Sequence, residues 1–326
     1  MPPADTGPTR FALSNVAQFF RSLFSKPAAA GPDLSFGLLA STGAALLLQQ
    51  KQWAAFETLV TDLPTEGLTR LLDGLCLTPQ YAPLLQQYHA SGDSELRHLT
   101  AGVHDTFLAW EARSGAAAKY VTQDQAQGFE HYLGLAHGHL ERAFSTSRLQ
   151  AEAYARLIRV LMGLGEPQEA QQAFYAGNEL VPDHLLGHIN YFKLIAPRWF
   201  GDAEVLAEFV DDAPTPALRQ LLQANFLVER YSDFESDSLT AAKGKLYAEY
   251  QGRITRLLPE LHPMTGTSLL AIYYNNYVGC LHHVLGQWDE RSRYLGELGS
   301  YITPNPWAYF GLGTPAAVQK LAPAKR

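Results

Sequence analysis

The sequence predicts an all-α fold built from antiparallel helical hairpins, on three observations. Residues Ala151 to Pro182 read AEAYARLIRVLMGLGEPQEAQQAFYAGNELVP. The first half of that stretch puts Tyr154, Leu157, Ile158, Leu161 and Leu164 on one face, and the second half does the same with Ala170, Phe174, Gly177 and Leu180. That is helical spacing on both sides of a short turn, Gly165-Glu166-Pro167. Apolar residues at the same period recur along the rest of the chain. No stretch alternates with period two between turn residues, which argues against a sheet. The 326 residues, 47% hydrophobic and 17% charged, are enough for a sizeable core in one or two domains or one extended array.

The hairpin resembles a tetratricopeptide repeat, a unit of about 34 residues. With Ala151 as position one, the large residues fall on Tyr154, Leu157 and Leu161. The small residues fall on Ala170 and Gly177, the aromatic on Phe174 and the closing proline on Pro182. Ile158 stands where the repeat usually has a small residue. The resemblance implies an α-solenoid of tetratricopeptide-like hairpins, elongated and right-handed.

Taken in order, residues 1–32 read as a flexible tail. They carry a short amphipathic helix, Arg10–Phe24, whose apolar side is Val16, Phe19, Phe20, Leu23 and Phe24. The repeat domain spans 33–326. Leu34–Gln49 and Trp53–Thr61 form its first hairpin. Glu66–Leu77 and Gln80–Ala90 follow, with Thr65 and Thr78-Pro79 in capping roles. Asp93 or Ser94 caps a helix with Leu96, Leu99, Val103, Phe107 and Trp110 on one side. Gln123–Phe144 is another helix, with Phe129, Leu133, Ala136, Leu140 and Phe144 on one side. After the central hairpin come Asp183–Ile195, then Ala203–Phe209 capped by Asp202, then Ala217–Glu229 and Leu239–Leu258. Leu269–Leu285 and Trp288–Leu298 make a last hairpin around Gly286, and Thr314–Leu321 adds a short cap.

Composition excludes several functions. A net charge of −7 without a basic run is a poor match for nucleic acid. Two cysteines, Cys76 and Cys280, make neither a disulfide framework nor a cysteine zinc site, and fit a reducing, cytoplasmic setting. Ser268 to Gly286 is the longest apolar run. Asn275, Asn276, His282 and His283 within it point to a buried helix rather than a membrane span. No phosphate loop, nucleophile elbow or His-Glu-x-x-His motif occurs, so no catalytic residue or cofactor is assigned. Of the eleven histidines, His184 and His188 stand four apart on one helix. Without a third ligand nearby, capping or surface roles are their default and no metal is assigned.

Two further motifs, AWEARSG (Ala109 to Gly115) and APRWFGD (Ala196 to Asp202), resemble a bacterial helical-repeat family defined as a domain of unknown function. That resemblance covers roughly Trp53 to Arg230 and implies the fold without an activity. It matches at Trp110, Arg113, Arg198, Trp199 and Gly201.

Three functions remain open. The first is a non-catalytic scaffold that binds a protein or peptide in a concave groove. In a tetratricopeptide hairpin the first helix lines that groove, and the register brings Arg156, Arg159, Asn190 and Lys193 to one wall. Three cations and an amide there suit an acidic group or a peptide C-terminus; the alternative is that they pair with Glu152 and other acids on a solvated face. The second is an enzyme or small-ligand protein with a pocket around Trp110, Arg113, Arg198 and Trp199. The third is a membrane-peripheral adaptor using Arg10–Phe24, the one stretch expected to touch a membrane.

Overall fold

The protein is seen in a computed structural model that describes residues 33–114, 120–143, 146–234 and 239–321. The expected helix Arg10–Phe24 lies outside these residues, as do Gly115 and Phe144. Among the described residues there are sixteen α-helices and no strand. Two short ones, α1 (Leu38–Thr42) and α2 (Ala44–Gln49), precede α3 (Trp53–Asp62). Six hairpins follow. They pair α4 (Thr65–Cys76) with α5 (Ala82–Ala90), α6 (Glu95–Arg113) with α7 (Gln123–Leu140), and α8 (Ser147–Leu164) with α9 (Pro167–Leu180). Next come α10 (Leu185–Leu194) with α11 (Ala203–Asp211), α12 (Pro216–Asp233) with α13 (Leu239–Leu257), and α14 (Leu269–Val284) with α15 (Trp288–Leu298). A last helix, α16 (Pro315–Gln319), follows a 3-10 turn at Trp307–Phe310.

Local chemistry explains most boundaries. The side chains of Ser94, Thr122, Thr146, Asp202, Thr215 and Ser268 each accept a backbone N–H in the first turn of the helix that follows. Thr65 does not cap α4; it is the first helical residue, behind Pro64. Leu34–Gln49 is not one helix either, because Gly43 takes a left-handed φ of 69° between α1 and α2. Gly201 is fixed by space: a Cβ there would sit 2.1 Å from the Ile195 carbonyl oxygen.

The first helices of the six hairpins form an inner layer. They touch in the cyclic order α4, α6, α8, α10, α12, α14, and α14 returns to α4. The second helices pack behind them. Burial follows this division. α14 is buried on nearly every side, whereas α15 buries only Tyr294, Leu295 and Leu298. The expected elongated array is therefore corrected to one whose early and late helices meet. Side chains about 200 positions apart make the closure. Arg70 Nη1 donates to the Thr267 carbonyl at 2.9 Å, and the Leu269 N–H donates to Glu66 Oε2 at 3.0 Å.

Both ends of the described chain pack onto the inner layer. Arg70 also holds the Ser35 and Phe36 carbonyls, at 3.2 and 2.9 Å. The polar residues of the apolar run Ser268 to Gly286 tie down loops. Asn276 Oδ1 accepts from the Thr303 N–H and the Trp307 indole, and Asn275 exchanges two hydrogen bonds with Met264. These asparagines are buried because their amide groups replace water for backbone that would otherwise be unpaired. No helix among the described residues is long and apolar enough to cross a membrane.

Candidate functional site

The inner helices surround a cavity of about 340 Å³. Four helices supply the polar side chains that reach it: Asp73 from α4, Thr106 from α6, Arg156 and Arg159 from α8, and Asn190 and Lys193 from α10. The rest of the lining is mostly apolar, with Val103, Phe107, Trp110 and Ile189 beside Tyr273 and Tyr277 of α14. Leu34 and Phe36 from the start of the described chain and Thr303–Asn305 from its end complete the wall. Phe36 and Tyr301 meet edge to face at 5.9 Å, so the two terminal segments touch.

The four expected groove residues thus share one cavity, but they differ in how their charges are met. Arg156 is compensated by two carboxylates. Its Nη1 donates to Asp73 Oδ1 at 2.6 Å, its Nε donates to Glu152 Oε1 at 2.8 Å, and its Nη2 lies 2.7 Å from the same oxygen. Burial raises the Glu152 carboxyl, and Arg156, His184 and Thr69 together outweigh it, holding it down to about 2. Thr69 donates to Glu152 Oε2 at 2.5 Å, and His184 Nε2 lies 3.1 Å from that oxygen. Asp73 behaves oppositely: burial pushes its carboxyl up despite Arg156. This network joins α4, α8 and the start of α10. On its other flank is a second cavity of about 350 Å³, which Thr69 and His184 help to line.

Lys193 is also compensated. Its Nζ lies 3.2 Å from Glu229 Oε2 and contacts the Tyr309 hydroxyl. Burial works against its charge, but Glu229 and Tyr309 raise its affinity for the proton. Asn190 spends its amide on the Ala155 carbonyl, at 2.8 Å. Two of the three cations and the amide thus have partners inside the fold, among them Glu152 for Arg156, on a buried rather than a solvated face.

Arg159 is the exception. Its guanidinium lies 4.2 Å from the Trp110 ring centre, and Nη1 is 3.7 Å from Met162 Sδ. Among the described residues no carboxylate pairs with it. Burial, with Arg113 adding repulsion, outweighs the favourable pull of Tyr309 and lowers it to about 10. The Trp110 indole N–H is buried and has no acceptor among the described residues.

The second expected cluster divides. Trp110 meets Trp199 edge to face at 5.9 Å, and Arg113 stands 5.7 Å over the Trp110 ring. Arg198 instead turns to Asp233 and Ser232. Only Trp110 of these four lines the cavity. His184 and His188 are buried rather than on the surface. His184 caps α10 through Nδ1, which accepts the Gly187 N–H at 3.3 Å. No group of three or more His, Cys, Asp or Glu among the described residues is arranged to hold a metal ion.

Sequence reasoning did not place Asp73, Glu229, Tyr273, Tyr277 or Thr303–Asn305 at the site. Arg156 with Glu152, four apart on one helix, was the single readable pair. No family model matches the chain, and neither does any curated protein or solved structure.

Proposed function

We propose that the protein is a non-catalytic helical-repeat scaffold that takes the end of a protein or peptide partner into its central cavity. In this reading the hairpins are tetratricopeptide-like units of a solenoid curved until its ends meet, and the groove of an open array becomes an enclosed site. First helices lining the inside agree with that origin. The observation that carries the reading is Arg159, a cation on a mostly apolar inner wall with no carboxylate of its own. Asp73, Glu152 and Glu229 are tied into ion pairs, which suits a binding site better than acid–base chemistry. The two buried free thiols suit the cytoplasm.

A small-molecule occupant is the second reading. It is favoured by the cavity volume, at the low end of the roughly 300–1,000 Å³ common for such sites. A peptide array tests the first reading. The wild-type chain should bind a subset of immobilised peptides, and Ile189→Trp, which fills the cavity, should lose them while keeping the helical circular dichroism spectrum. Peptide binding that survives the filled cavity, or no binding at all, overturns it.

A further inference from the structure

We propose that the central cavity recognises a single carboxylate carried on an apolar body, with Arg159 as the residue that reads the anion. The inference deepens the binding reading above and rests on it. Arg156 faces Asp73 and Glu152, and Lys193 faces Glu229, so these cations bring no net demand for an external anion. Arg159 has the face of Trp110, a thioether and the nearby Tyr309, and no carboxylate among the described residues. A part-buried cation without a counter-charge is costly, and an anion entering the cavity would relieve that cost.

One uncompensated cation calls for one negative charge. A phosphate monoester, carrying about −1.5 to −2, would leave excess charge in a poorly solvated place. A carboxylate matches both the charge and the planar, two-pronged geometry of a guanidinium. Tyr273 and Tyr277 bring hydroxyl donors to the same lining, with no hydrogen-bond partner among the described residues.

The body of the ligand follows from the other walls. Val103, Phe107, Ile189 and the Trp110 ring offer apolar contact. The volume of about 340 Å³ admits one apolar side chain with its carboxylate, not a run of peptide. Two sources share that chemistry: a free apolar acid, or the C-terminal residue of a chain.

Isothermal titration separates them on the full-length protein. The probes are N-acetyl-phenylalanine and its amide, a hexapeptide ending in phenylalanine as acid and as amide, and phenyl phosphate. At least one acid should bind, its amide at least about tenfold more weakly. Arg159→Gln should lose at least about tenfold in affinity for that acid, and Arg159→Lys less. Circular dichroism checks that both variants remain folded, and Tyr277→Phe, a milder change, should weaken the acid without abolishing it. Binding of the hexapeptide acid alone assigns the site to chain ends, and binding of the free acid as well assigns it to small acids. Equal affinity for acid and amide, wild-type affinity in Arg159→Gln, preference for phenyl phosphate, or no binding of either acid overturns the proposal. Peptide binding that Ile189→Trp abolishes but that ignores the terminal carboxylate would overturn this inference while leaving the scaffold reading intact.

Discussion

Arg156 and Arg159 leave α8 less than one turn apart, reach the same cavity and meet opposite surroundings. Arg156 sits between two carboxylates that draw α4 and α8 together. Arg159 lies on an aromatic face with no counter-charge among the described residues. Desolvation acts against both charges, yet the proton affinity of Arg156 rises and that of Arg159 falls. Neighbours decide the sign, not depth. A compensated buried charge holds the fold together, whereas one without compensation is kept against its own cost and marks the place to look for a ligand.

The largest expected effect comes from breaking the compensated side. Glu152→Ala strands Arg156 and His184 in the interior and should cost about 3–5 kcal/mol in urea unfolding. A loss below about 1 kcal/mol would mean that the Asp73–Arg156 contact suffices alone, and the contrast between the two arginines would weaken.

Acid titration probes the same network without a large deletion. The folded Glu152 carboxyl is held near 2, below its ordinary 4.5. A depressed acid contributes stability that is present above about pH 4.5 and is lost as pH falls toward 2. Asp73, with a raised carboxyl, contributes with the opposite sign. Comparing wild type with Glu152→Gln isolates the first contribution: the variant's stability should fall less steeply across that window. Parallel curves would show that Glu152 is not the group being titrated.

Much of this geometry was legible before the fold was known, and the remainder has a common cause. The hairpin at Ala151–Pro182, the caps at Ser94 and Asp202 and the inward register of Arg156, Arg159, Asn190 and Lys193 all depend on residues within a few turns of one another. Local spacing encodes them. Which cations would find carboxylates depended on Asp73, 83 positions from Arg156, and on Glu229, 36 from Lys193. Closure of the ring depended on Arg70 reaching Thr267 and Glu66 reaching Leu269, over separations no periodicity reports. Trp199 shows the same limit. It is half-buried and edge-on to Trp110, a contact that no local spacing reports. Trp199→Ala should therefore cost about 1–3 kcal/mol, short of a full core deletion. A loss of 4 kcal/mol or more on chemical unfolding would show that the Trp110–Trp199 contact supports the Arg159 corner more than its exposure implies.

The smallest expected effect is at Arg159 itself, and its sign is what matters. A basic group lowered to about 10 in the folded chain costs stability wherever it stays charged. Removing the charge recovers that cost and forfeits the contact with the Trp110 face, worth about 0.5–2 kcal/mol. The two contributions oppose each other, so ligand-free Arg159→Met should lie between unchanged and about 2 kcal/mol more stable than wild type. The matching pH behaviour is specific. Wild-type stability should gain a rising component above about pH 10, as the folded state sheds the Arg159 proton first, and Arg159→Met should lack it. Alkaline urea titrations of the two proteins, compared with Glu152→Gln, read that difference directly. A variant that loses 2 kcal/mol or more would place Arg159 with Arg156 among the charges that hold the inner helices together, and the contrast drawn on α8 would collapse.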